Sequence, residues 1–253
     1  GGVMVAFIGF KIMHIFFNKI NNKEQLSFSH TLNSNYFFLS VIVFLISVVL
    51  VSFGDSLDIL VSLFFYEGQN TFVLQKGDLF TILVRKILLP LILLYMIIVP
   101  FLSVMSGISQ LFFGYVFKLK EICFIVSTLF VNLILVVNAL LKNSWGRARP
   151  DEILQFGGNE DFTPWYQLSS ACNTNCSFVS GDAATGFSLI VLFFLTKNKI
   201  FIWLSISLGF LLGITRILEG GHFLSDILVG GLVIYVLTYL QFIFYNKIFN
   251  TNA

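Results

Sequence analysis

Three short segments hold most of the side chains in this sequence that could do chemistry. The first is Lys142-Asn-Ser-Trp-Gly-Arg147-Ala-Arg149-Pro150, the second Ser177-Phe-Val-Ser180-Gly181-Asp182, and the third Thr215-Arg216 through Gly220-Gly221-His222 to Asp226. Each abuts a long apolar run, and ionisable groups at membrane depth are costly enough to imply function. Lys142 and Arg149 are seven apart, so two helical turns bring them to one face. Arg216 adds a third cation. A guanidinium fork suits phosphate oxygens bidentately, and lysine adds a point charge. Ser180 and Gly181 stand where a helix should begin, so a hydroxyl and free backbone N–H groups can face an anion. His222 and Asp226 are at i and i+4, adjacent on one helical face. An aspartate bonded to one imidazole nitrogen leaves the other free to attack. The set reads as an anion site with a nucleophile.

The elements that must position these groups follow from composition. The 253 residues are 57% hydrophobic and 11% charged, with 31 Phe and a mean hydropathy of +0.90. A soluble domain carries about a quarter charged residues, so a polytopic helical membrane protein is expected. Disordered, coiled-coil and small disulfide scaffolds are excluded by the same figures. The 4 Pro and the lack of alternating segments argue against an outer-membrane barrel. The fold class expected is all-α, a membrane bundle of about six transmembrane helices at roughly 20 residues per crossing. The runs are 36–53, 79–104 with Pro90 and Pro100, 121–141, 183–195, 200–215 and 227–245. Residues 1–35 form an N-terminal interfacial or cytoplasmic segment, in which the first 17 are interrupted by Lys11 and His14. No small-residue cleavage site follows them, so no removable signal peptide is expected. The bundle covers 36–245 with polar loops 54–78 and 142–182, and 246–253 is a cytoplasmic tail.

With the N-terminus inside, the inner segments hold eight basic side chains against Glu24 and Glu121. Setting Lys142, Arg147, Arg149 and Arg216 aside as site cations leaves three basic side chains outside. The positive-inside rule then turns both polar loops outward. Cys172 and Cys176 form a local disulfide if that face is oxidising, and are a poor zinc pair without Cys or His neighbours. Cys123 sits in an apolar run as a small hydrophobe.

The three segments resemble the signature of the type 2 phosphatidic-acid phosphatase superfamily: Lys-x6-Arg-Pro, then Pro-Ser-Gly-His, then Ser-Arg-x5-His-x3-Asp. Lys142 to Pro150 matches the first element, and Arg216, His222 and Asp226 match the third at full spacing. The likeness covers roughly 120–240. It implies a phosphomonoester or diphosphate hydrolase with no metal and no cofactor, working through a phosphohistidine. His222 is then the nucleophile and Asp226 its orienting partner. Lys142, Arg149, Ser180, Gly181 and Arg216 hold the phosphoryl oxygens. The sequence departs from the pattern at Thr215 for Ser, Val179 for Pro, and Asp182 where the family has histidine. Asp182 can protonate a leaving group only if it stays protonated near neutral pH. We expect it to be the general acid, helped by Glu219; the rival is that it only positions the helix end.

Blander readings apply elsewhere. Arg147 has no place in the signature; it either contacts something behind the site or a lipid head group, or is simply solvated. Asp151, Glu152, Glu160 and Asp161 read as a solvated loop. Trp145, Trp165 and Tyr166 fit an interfacial belt as well as a lipid-binding rim. The Phe-, Ile-, Lys- and Asn-heavy composition suggests a bacterial inner membrane with the site facing the periplasm. The expected partners are a phospholipid or glycolipid phosphate and the bilayer, with no nucleic acid and no obligatory protein. The acid in place of histidine is similar to a bacterial subset that includes lipid A phosphatases, which favours lipid A 1-phosphate. Undecaprenyl diphosphate and phosphatidylglycerophosphate are the alternatives. A non-catalytic lipid-binding relative and an anion channel are the rival classes. Permeation needs weak binding and has no use for a histidine held by an aspartate.

Overall fold

The structure, a computed structural model, describes residues 53–106 and 115–249. The run expected at 36–53 therefore lies outside the described residues, apart from its last residue. The chain divides after Phe53, and everything below concerns the unit from Gly54 onward.

Among the described residues, four helices are long and apolar enough to cross a membrane. We number the helices in chain order: α1 over 53–64, α2 Leu79–Met105, α3 Leu119–Ser144, α4 Gly181–Thr196, α5 Ile200–Leu218 and α6 Leu224–Phe249. α4 is the exception in length. It bends at Ser188–Leu189 and its residues from Ala183 to Leu195 are all buried. Its apolar side chains fill the core of the bundle. Gly186 of α4 meets the backbone of Leu208 and Gly209 in α5 so closely that a Cβ there has no room. Small residues of this kind let helices approach where lipid offers no hydrophobic drive to associate. At membrane depth Asn132 of α3 donates to Thr238 of α6 at 3.0 Å, and Gln241 donates to Asn132 at 2.9 Å. The outer faces are apolar and bare: Leu83, Ile87, Leu91 and Leu94 of α2 are all exposed.

The segment expected as a polar loop at 54–78 is largely ordered. In α1, Gly54, Asp58 and Ser62 are buried while Leu60, Leu63 and Phe64 are exposed. This turns the polar stripe inward, as a helix edged by lipid requires. A two-stranded hairpin follows, β1 Tyr66–Gly68 against β2 Thr71–Phe72. Gln69 and Asn70 both have positive φ, the turn that matches strand twist in a two-residue loop. Phe72 then packs with Ile153, Phe156 and Phe223, tying the hairpin to the α3–α4 connection and the start of α6.

The α3–α4 connection folds back along the end of α3. Ser169 N donates to Trp145 O at 2.9 Å, Cys172 N to Gly146 O at 3.0 Å, Cys176 N to Lys142 O at 3.1 Å, and Ser177 N to Arg147 O at 2.9 Å. Cys172 and Cys176 are joined in a disulfide. These bonds satisfy backbone groups that a buried loop could not leave unpaired.

Candidate active site

Helix ends converge on one small cavity. α3 delivers Lys142 in its last turn, and the following turn delivers Arg149. α4 carries Asp182 in its first turn, α5 carries Arg216 in its last, and His222 stands between α5 and α6. All five line a cavity of about 190 Å³, together with Lys76, Arg85 and Asn175. That is smaller than the ~300–1,000 Å³ of pockets that engulf a drug-sized molecule. It is of a size to take a phosphoryl group.

His222 is buried, with Nδ1 3.6 Å from Asp226 Oδ2 and 3.5 Å from Ser177 Oγ. Ser177 Oγ donates to the same Asp226 oxygen at 2.5 Å, and Phe223 N donates to it at 2.9 Å. The imidazole edge carrying Nδ1 is thus turned to Asp226, leaving Nε2 on the other edge. Burial first, and then nearby Arg216 and Lys142, push the imidazole down to about 4 against the upward pull of Asp226. It is neutral at physiological pH, as a nucleophile must be.

Behind Asp226 lies a closed ion network. Arg147, fully buried, donates to Asp226 Oδ1 at 2.7 Å, to Asp58 Oδ2 at 2.7 Å, to Ser225 Oγ at 2.8 Å and to the Thr163 carbonyl at 2.9 Å. Ser225 N and Oγ both donate to Asp58. Phe223 and Phe162 close over the guanidinium, their ring centres 4.3 and 5.5 Å away. Burial opposes the Arg147 charge, yet the two carboxylates outweigh it and hold the group above its ordinary value.

Around the cavity the cations are braced. Lys142 Nζ donates to Asn175 Oδ1 at 3.2 Å and Arg149 Nη2 to the Asn175 carbonyl at 2.6 Å. Arg149 Nε is buried without a partner. Arg216 is bonded to Glu219 and lies 3.8 Å from Asp182 Oδ2. Its guanidinium crosses over Gly221, occupying the place where any Cβ there would sit. Arg85 of α2 donates to Asp182 at 2.6 Å and to Glu219 at 3.3 Å. Burial alone raises the Asp182 carboxyl, but Arg85 and Arg216 reverse that and hold it below the ordinary carboxylate range. Without substrate, then, Asp182 is ionised, so a leaving-group acid does not stand ready-protonated at this position.

Of the residues expected from sequence, Lys142, Arg149, Asp182, Arg216 and His222 share the cavity wall and Asp226 backs His222. Ser180 and Gly181 do not line it. The Ser180 hydroxyl is fully buried and accepts from Ala183 N at 3.4 Å as the cap of α4, rather than facing an anion. Thr215 likewise donates its hydroxyl back to Leu211 O at 2.8 Å. Sequence reasoning missed Arg85, Lys76, Asn175 and Asp58, and left Arg147 open between a contact behind the site, a lipid head group and simple solvation, of which the buried network shows the first. Arg85 had a signal: it is a charge inside the apolar run Phe-Thr-Ile-Leu-Val-Arg-Lys-Ile-Leu-Leu.

Residues 120–250 match the PAP2 superfamily. Over 127 residues the chain is 39% identical to a lipid A 4′-phosphatase of Francisella tularensis subsp. novicida, covering 49% of this chain and 57% of that protein. Over 110 residues it is 36% identical to lipid A 4′-phosphatases of Rhizobium leguminosarum and Rhizobium etli, covering 42% of this chain and 47% and 43% of theirs. The chain thus spans about half the length of the curated relatives it matches. No solved structure matches it. With the matched stretch carrying the ends of α3, α4, α5 and α6 that build the cavity, this chain belongs to the PAP2 superfamily.

Proposed function

We propose that this protein is an integral-membrane phosphatase that removes a phosphate monoester from lipid A, at the 4′ position, through a phosphohistidine on His222 and without a metal. The observation that carries this reading is the buried neutral imidazole, with Asp226 on its Nδ1 edge, in a cavity walled by Lys142, Arg149 and Arg216. The earlier preference for the 1-phosphate gives way to 4′ because the matched relatives bear that name. An inner-membrane location with the site on the periplasmic side belongs to the same proposal.

Charge supports a monoester. Lys76 is paired with Asp151 at 3.3 Å. That leaves Arg85, Lys142, Arg149 and Arg216 against Asp182 and Glu219, a surplus of two positive charges. A phosphomonoester offsets it in part as the monoanion and fully as the dianion, and such a phosphate carries about −1.5 to −2 at pH 7. The cations also meet charge spreading over the equatorial oxygens in the transition state, without reorganising.

In the chemistry proposed, substrate binds as the monoanion and passes its proton to Asp182. The dianion competes for Arg85 and Arg216, and burial then favours the neutral acid. His222 Nε2 bonds to phosphorus as the ester P–O bond breaks, and Asp182 returns the proton to the departing alcohol oxygen. In the second step water attacks phosphorus, Asp182 takes a proton from it, and His222 leaves as the neutral base; Asp182 then gives that proton to the phosphate, which departs as the monoanion.

The test is phosphate release from a bis-phosphorylated lipid A in detergent with chelator present, read by mass spectrometry for wild type and His222→Ala. Loss of the 4′-phosphate by wild type alone supports the proposal. Binding without release by both proteins sinks it.

A further inference from the structure

Arg85 lies on α2, outside residues 120–250 and outside all three sequence segments that suggested the site. It nevertheless lines the cavity beside Lys142, Arg149 and Arg216. It uses Nε on Asp182 and Nη1 on Glu219. A guanidinium has five N–H donors in a fixed fork, so the contacts to Asp182 and Glu219 leave donor capacity for an arriving anion. Arg216 approaches the same oxygens of Asp182 and Glu219 from α5. Two guanidiniums thus share two carboxylates at the cavity edge, and a phosphate entering it is a third anion competing for the same donors.

We propose that Arg85 is a phosphate ligand that also sets the charge of Asp182: it holds the carboxylate ionised until a phosphate monoanion arrives, then shifts its donors to the phosphate oxygens as the carboxylate takes the monoanion's proton. This rests on the hydrolase reading above and adds to it a cation from outside the family match. The groups facing Asp182 are Arg85 from α2, Lys142 from α3, Arg216 from α5, and His222 with Glu219 from the α5–α6 turn. Removing Arg85 takes away the closest of the three cations. The Asp182 carboxyl then keeps its proton to higher pH.

The experiment compares wild type, Arg85→Gln, Arg85→Lys and the double variant Arg85→Gln/Asp182→Asn, each verified by detergent gel filtration. Orthovanadate affinity measures the anion contact. The pH dependence of kcat, which reports groups in the substrate complex, is measured on dodecyl phosphate, whose alkoxide needs a proton, and set against p-nitrophenyl phosphate, whose phenolate leaves without one. Arg85→Gln should weaken orthovanadate by about tenfold or more, the loss of one charge-assisted contact. It should also move the alkaline limb on dodecyl phosphate to higher pH, with no movement on p-nitrophenyl phosphate. Arg85→Lys should recover part of the affinity. The double variant should lose the limb shift.

Unchanged orthovanadate affinity, or an alkaline limb in the same place on dodecyl phosphate, overturns the proposal. The two readings fail separately. If wild type hydrolyses nothing, the hydrolase reading falls and the orthovanadate comparison still decides whether Arg85 binds the anion. If wild type hydrolyses and His222→Ala does not, but Arg85→Gln binds orthovanadate normally, Arg85 alone is misassigned.

Discussion

Acidification is the perturbation that bears most directly on the nucleophile. An ordinary histidine titrates near 6.5, whereas burial holds His222 at about 4. At pH 5.5 an unperturbed imidazole is about 9% neutral and one titrating at 4 is about 97% neutral, a tenfold difference in attacking base. The direction for stability follows from linkage. The folded-state value is depressed, so between about 4 and 6.5 the unfolded chain binds the proton and the folded chain does not. The contribution is complete above 6.5 and is lost as pH falls through 4, with an order of magnitude of ~3 kcal/mol at 1.36 kcal/mol per unit. Activity alone is an ambiguous probe because substrate phosphate titrates nearby, with a second pKa of about 6. The sequence has only 3 His, so replacing His14 and His30 with Gln leaves one imidazole for isotope-edited NMR in detergent. The expected midpoint is about 4. A midpoint at or above 6 refutes the argument that a dry, cation-walled site keeps this ring neutral.

The other predictions concern the groups around that ring. Asp182→Asn should cut turnover of an alkyl phosphate by about 10²–10⁴-fold while sparing p-nitrophenyl phosphate; equal losses on both remove the acid role. Arg147→Met leaves Asp58 and Asp226 buried without their shared cation, and should cost about 3–5 kcal/mol in a denaturant titration, whereas Arg147→Met with Asp58→Leu should recover part of it. Gly221→Ala places a methyl where the Arg216 guanidinium lies, and should raise the orthovanadate dissociation constant at least about tenfold in a binding titration. Cys172→Ser with Cys176→Ser should raise KM several-fold with kcat kept, because Asn175 between them braces Lys142 and Arg149.

How much of this was legible in the sequence depended on how far apart in the chain the partners stand. Arg216, His222 and Asp226 are near neighbours in sequence, and the tight α5–α6 turn fixes their relation. Lys142 and Arg149 span the end of α3. Neither this pair nor His222 with Asp226 shares a helical face as the spacing suggested. α3 ends at Ser144, before Arg149, and α6 begins at Leu224, after His222, so the turns beyond the helix ends bring the groups together. Arg85 reaches Asp182 across 97 residues and Arg147 reaches Asp58 across 89. No periodicity encodes such a meeting. What the sequence did carry was anomaly: an arginine within a lipid-facing run and an aspartate in Leu-Asp-Ile-Leu-Val, each too costly to stand alone. The membrane helices were legible from hydropathy alone, and four of the expected runs are long apolar helices among the described residues. What hydropathy could not give is which of them is central: α4 is buried from Ala183 to Leu195, whereas α2 bares an apolar face.

The exchange of histidine for Asp182 has a consequence for the whole site. A neutral histidine adds no charge beside a phosphate, but an aspartate adds a negative one and weakens binding unless something compensates. Arg85 compensates from 2.6 Å, and it comes from a helix outside the family match. Acid and arginine therefore act as one replacement unit rather than two independent changes. Restoring Asp182→His alone should strand Arg85 beside Glu219 and leave the cavity one charge too positive. Asp182→His with Arg85→Gln should return the balance. On that reasoning the double variant hydrolyses dodecyl phosphate faster than either single one, and additive losses in the cycle would show that the pair is not coupled.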